Sequence, residues 1–241
     1  MDTIAMFGFG ERGWGAVLLL ATLTTTLVTL AALAIGAVFG SLVAWAKLSK
    51  NLPARFIGDA YTTIFRGVPE LLVIYLIYFG GSALVTQAGS LLGIEGFLGL
   101  PSFLAGALAV GIISGAYQAE VFRGAYLSVA KGEIEAARSI GMPKLSRFRH
   151  IVVPQVLRFA LPGLGNVLQL SLKDSALISV TGLAELMRTT QVAAGSTKQY
   201  FVFYIAGGVL YLILTSLSGR VFDTAERRVA KTFRSSIGRG A

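Results

Sequence analysis

Long apolar runs without charge divide this chain. A helix that crosses a bilayer needs roughly 20 mostly apolar residues in a row. Residues 13–46 carry no charge at all and hold one long or tilted spanning helix. Residues 71–94 and 96–119 supply a second and a third, separated by Glu95 and the stretch GFLGLPS. Residues 199–219 supply the last. Residues 151–172 are apolar but contain Arg158, Pro154 and Pro162. They count as the fourth span because without them the later hydrophilic stretches fall on the wrong side of the membrane. The pattern predicts an all-α integral membrane protein with about five transmembrane helices.

Composition agrees. Hydrophobic residues make up 54% and charged residues 14%, against about a quarter charged in an ordinary soluble domain. The net charge of +9 suggests nucleic acid at first sight, but the basic residues follow topology. Lys47, Lys50, Arg55 and Arg66 lie between spans one and two. Arg123, Lys131, Arg138, Lys144, Arg147 and Arg149 lie between spans three and four, with Arg158 just beyond. Arg220, Arg227, Arg228, Lys231, Arg234 and Arg239 follow span five. The opposite side has only Arg12, Lys173, Arg188 and Lys198. Short loops rich in Lys and Arg stay in the cytoplasm. The expected arrangement is therefore a short outer N-terminus (1–15), a membrane domain (16–222) and a basic inner tail (223–241). No nucleic-acid partner is expected; the positive charge suits anionic lipid instead.

Several chemistries are excluded. There is no cysteine, so no disulfide or thiol site. The single histidine, His150, rules out zinc held by paired histidines. The N-terminus MDTIAMFGFGERG lacks the basic start and cleavage site of a secretory signal. No G-x-x-x-x-G-K-[ST] phosphate loop, no G-x-S-x-G and no paired catalytic carboxylates occur. We expect no catalytic residue, no bound metal and no ATPase activity in this chain.

Polar groups within the spans carry the next signal. Gly36-x-x-x-Gly40 and Gly111-x-x-x-Gly115 offer small faces for close helix packing. In span four, Asn166, Gln169 and Lys173 fall at i, i+3 and i+7 on one helical face, and Asp174 follows. Polar groups at membrane depth face a cavity or a partner. They form either the wall of a solute path or an interhelical contact with Lys173 and Asp174 among the headgroups. Pro162 interrupts hydrogen bonding inside this span. Glu70 either pairs with Arg66, four residues away, or offers its carboxylate to a cationic solute. Glu120 and Arg123, at i and i+3, read as a structural pair.

The inner loop SVAKGEIEAARSIGMPKLSRFRHIVVPQ predicts a short helix. Glu133 and Glu135 suit its first turn, Ala136, Ala137 and Ile140 form a compact apolar face, and Gly141 with Pro143 ends it. Such a helix either docks into a groove of another protein or lies on the membrane surface. Glu135-Ala136-Ala137, Gly141 after three residues, and Ile151-Val-Val-Pro154 after nine more resemble the EAA loop of ABC-importer permeases. RGVPELLVIYLIYFGG at span two, GAYQAEVFR in span three and LKDSALISVTGLAEL after span four resemble the branch for histidine and the opines octopine and nopaline. Glu70 after Pro69 departs from members with an apolar residue there.

The resemblance implies a type I ABC-importer transmembrane domain in a bacterial inner membrane. It implies that Glu135, Ala136, Ala137, Gly141, Ile151 and Pro154 belong to a coupling helix and loop that dock on a dimeric ATPase. That ATPase, not this chain, would hold ATP and magnesium. It further implies a second, similar but distinct permease chain and a periplasmic solute-binding protein, with a polar amino acid or an opine as solute. Glu70, Asn166, Gln169, Lys173 and Asp174 are the candidate solute path. Two rival classes are weaker. An ion-coupled secondary transporter would need more spans or an internal repeat, and a non-transporting anchor would not need the docking loop.

Overall fold

A computed structural model describes residues 6–10, 13–94 and 96–237, with side chains to residue 229. Arg12, Glu95 and Arg239 lie outside the described residues, as do the side chains of Lys231 and Arg234 and parts of the expected N-terminal and tail segments. Helices joined by short turns and loops make up the described residues, with no strand among them, and five helices are long and apolar enough to cross a membrane.

The first helix, α1 (Gly15–Leu48), and α4 (Ser102–Leu127) form the centre. Two thirds of the most apolar stretch of α4 is buried inside the bundle, against a third or less for the other spanning helices. The two small-residue motifs of the sequence meet at this seam. A Cβ on Gly36 would overlap Ser114 Oγ and sit 3.1 Å from Gly111 O. One on Gly40 would sit 2.8 Å from Gln118 Cβ and 3.1 Å from Gly115 O. With no side chain in the way, the backbones approach closely enough for polar groups to cross. Ser114 Oγ donates to Ala32 O (3.4 Å) and Gln118 Nε2 to Leu33 O (3.2 Å). Lipid supplies no hydrophobic drive between helices, so such close packing must hold them together.

The connection expected between spans one and two is itself a helix, α2 (Leu52–Gly67), packed on α1 and α4. Pro53 sits in its first turn, where a missing N–H costs nothing. Tyr61 Oη donates to Ile112 O at 2.7 Å. Burial raises the Tyr61 hydroxyl to about 12, so it stays a donor. The helix stops at Gly67 because Pro69 disfavours helical geometry at Val68, which is extended (φ −91°, ψ 139°). Helix resumes at once as α3 (Glu70–Leu91), which contains a π turn at Leu76–Gly80. Ile74 of α3 joins Val28, Ala32, Val110 and Ile178 in one core cluster. The GFLGLPS stretch folds back on α3, where Leu100 N donates to Ser82 Oγ and Leu98 N to Thr86 Oγ1.

A short helix, α5 (Lys131–Ser139), follows α4. One α-turn (Lys144–Arg147) and a π turn (Phe148–Val152) then lead into α6 (Val153–Ser175). This helix runs through Pro162 without interruption, so the proline costs a local bond but not the helix; the helix break lies elsewhere, at Val68–Pro69. A 3-10 turn (Ala176–Thr181) and Gly182 at φ +83° lead to α7 (Leu186–Thr197). The last helix is α8 (Tyr200–Ile237). Met6, Leu18, Leu186, Ala193 and Phe203 form a second core, with Phe7 and Trp14 packed against it.

Candidate functional site

Helix α5 begins at Lys131, so Glu133 falls in the first turn and Glu135 does not. It ends as a Schellman motif. Gly141, at φ +78°, donates its N–H to Arg138 O, and Met142 donates to Ala137 O (2.9 and 3.0 Å). The positive φ explains why a glycine stands there. The predicted apolar face divides in two. Ala137 is buried against the protein itself, whereas Ala136 and Ile140 are exposed, Ile140 by 77%, beside exposed Glu135. Ile151 lies in the π turn and Pro154 in the first turn of α6, both half-buried. Gln155 Nε2 donates to Glu133 Oε2, tying α5 to the start of α6.

The polar residues of α6 do not form one wall. Gln169 and Lys173 line a cavity of about 590 Å³ between α6, α7 and α8, with Thr190, Tyr204, Gly207 and Tyr211. Asn166 is exposed and outside that lining. Asp174 turns to another side, because successive helical residues are about 100° apart. There it lies within electrostatic reach of Glu70, and both carboxylates act on Tyr117 of α4. The Arg66–Glu70 pair is not formed among the described residues, since the helix breaks between them. The Arg66 guanidinium lies over the Tyr117 ring instead, 5.5 Å from its centroid. Glu70, Asp174, Tyr117 and Arg66 thus gather at the α2–α3 break.

Glu120 and Arg123 do pair, with Arg123 Nε and Nη2 on one carboxylate oxygen at 3.0 and 2.9 Å. The sequence pattern missed their third partner. Lys47 Nζ donates to Glu120 and to Thr62 Oγ1 (2.8 Å) and pairs with Asp59 (3.0 Å), joining α1, α2 and α4. Glu185 was also missed. It is fully buried, caps α7 by accepting from Met187 N and Arg188 N, and accepts from Tyr211 Oη (3.1 Å). The available signal was a lone acid inside the apolar stretch 175–187.

Residues 36–231 match the family of binding-protein-dependent transport system inner membrane components. The chain belongs to this family. The match spans α5, the helix break and the cavity. The chain is therefore the permease component of an ABC transporter, a multi-pass inner-membrane protein, and not its ATPase. The permease is 52% identical to the octopine transport system permease protein OccQ of Rhizobium meliloti, over 98% of this chain and 100% of the relative. It is 48% identical to the nopaline permease NocQ of Agrobacterium fabrum strain C58, over 96% and 99%. It is 38% identical to the histidine/lysine/arginine/ornithine permease HisQ of Escherichia coli K12, over 90% and 94%. Among solved structures, an amino acid ABC transporter with histidines superposes with a TM-score of 0.73 at 32% identity, over 89% of this chain and 95% of the other. The MetNI methionine transporter shares the fold, with a TM-score of 0.68 at 20% identity, over 92% and 99%.

Proposed function

We propose that this permease moves an opine, or a polar or basic amino acid, into the cytoplasm on energy from a partner ATPase dimer. The observation that carries the reading is the exposed surface of Glu135, Ala136 and Ile140 at the end of α5, which this chain leaves uncovered. The higher identity to the octopine and nopaline permeases than to the histidine permease favours an opine. A periplasmic binding protein delivers the solute, and a second, distinct permease chain completes the path. ATP and magnesium act on the ATPase. The N-terminus lies in the periplasm and the basic C-terminal tail in the cytoplasm.

Two polar regions suit the solute. Lys173 and Gln169 offer a cation and an amide to a carboxylate; Glu70 and Asp174, beside Tyr117, offer negative charge to an ammonium or guanidinium group. Helix ends and unwound backbone at membrane depth are where transporters place such sites.

The deciding experiment is uptake of labelled octopine, nopaline and histidine into proteoliposomes holding this chain, its partner permease and the ATPase, with binding protein added outside. Uptake that needs both ATP and binding protein supports the reading. Uptake driven by a proton or sodium gradient without ATP overturns it.

A further inference from the structure

We propose that the Glu133–Gln155 hydrogen bond is the strut that carries movement of α5 into α6, which makes Glu133 and Gln155 positioning residues for coupled transport. This rests on α5 being the helix that docks on the ATPase.

The covalent route between the two residues is compliant. It passes through Gly141 at positive φ, Met142-Pro143 outside any helix, a single α-turn and the π turn Phe148–Val152. A π turn is a single-turn departure from regular α geometry, frequent at functional sites. A push on α5 that reached α6 only through these links would be absorbed by them. The direct attachments of α5 are few. Ala137 is its one buried residue, and a methyl group in a pocket resists sliding poorly. The Glu133 carboxylate on the Gln155 amide is the directional attachment, and it joins residues 22 positions apart.

Its far end is well placed. Gln155 is the third residue of α6 and is buried. From there the helix is continuous to Ser175, through Pro162, so Gln155 and Lys173 are about 27 Å apart along one helix. Displacing Gln155 therefore displaces Gln169 and Lys173 at the cavity. Losing the carboxylate would leave the buried amide short of a partner, which keeps the contact made through a movement rather than only at rest.

The test measures solute transported per ATP hydrolysed in proteoliposomes holding the complete transporter. Gln155→Leu and Glu133→Ala should each lower that ratio about tenfold, the weight of one charge-assisted hydrogen bond, while the ATPase still co-purifies and hydrolyses ATP. Glu133→Gln can still accept from Gln155 and should keep most of the coupling. The double variant should be no worse than either single one, since both remove the same bond. An unchanged ratio in both single variants overturns the strut, and so do losses that add in the double variant. Uptake falling only in step with lost ATPase also overturns it, since these residues would then serve docking alone. Failure of the unaltered chain to retain any ATPase is a distinct result: it removes the docking reading, and the strut falls with it.

Discussion

The α1–α4 seam and the α6–α8 cavity are opposite solutions to packing helices in lipid. At the seam, glycines remove side chains until backbones touch, and the polar groups that remain, Ser114 and Gln118, bond to backbone carbonyls. At the cavity, the helices leave about 590 Å³ of space, lined by apolar side chains and glycines with a few polar groups, Gln169, Lys173 and Thr190 among them. Tight contact resists change, because interiors packed to high density have no room to rearrange. An open cavity tolerates change in its lining but depends on it for whatever it binds. Seam residues should therefore govern stability and cavity residues transport.

The sharpest way to break this contrast is Gly36→Leu. Its Cβ alone would overlap the Ser114 side chain and crowd Gly111 O of α4, leaving no room for the rest of the side chain. Such overpacking costs about 3 kcal/mol or more, and the expected result is loss of folded protein in detergent-solubilised thermal unfolding. A melting temperature equal to the parent's would show that the seam is looser than its geometry. Lys47→Met comes next. It leaves Glu120 with Arg123 alone and removes the tie to Asp59 and Thr62. A loss of about 1–3 kcal/mol is expected, read as a lower unfolding midpoint; Glu120→Gln should produce a similar shift, since both cut one network.

Glu185→Ala should cost about 1 kcal/mol by uncapping α7, with additional amide exchange expected at Met187 and Arg188. Protected amides there would mean another group caps the helix. The smallest effect on stability belongs to Lys173→Ala, an exposed cavity residue, expected within about 0.5 kcal/mol of the parent. Under the proposed path, uptake should nevertheless fall severalfold. A variant that melted early but transported normally would reverse the contrast at this position.

The five spans were legible because burial in lipid demands length and apolarity, which a single pass along the chain detects. Helix α2 was not, because Arg55, Asp59 and Arg66 interrupt its apolar pattern, and only its neighbours explain them: Asp59 meets Lys47 and Arg66 meets Tyr117. The end of α5 at Gly141 was legible, since a glycine followed by proline is a local stop signal. That Ala137 faces inward while Ala136 faces outward was not, because adjacent residues on a short helix read alike until a neighbour covers one. The 100° step between Lys173 and Asp174 was legible, but which of them would meet the cavity was not.

By itself the sequence determined the membrane class, the spans, the family and the short helix that ends at Gly141. Each depends on composition, run length or fixed spacing along the chain, and these survive without any knowledge of neighbours. Only the tertiary structure decided what each face meets. Lys47 and Glu120 are 73 residues apart, and Glu133 and Gln155 are 22 apart. Helical periodicity says which residues share a face; it holds no information about which other helix will be packed against it.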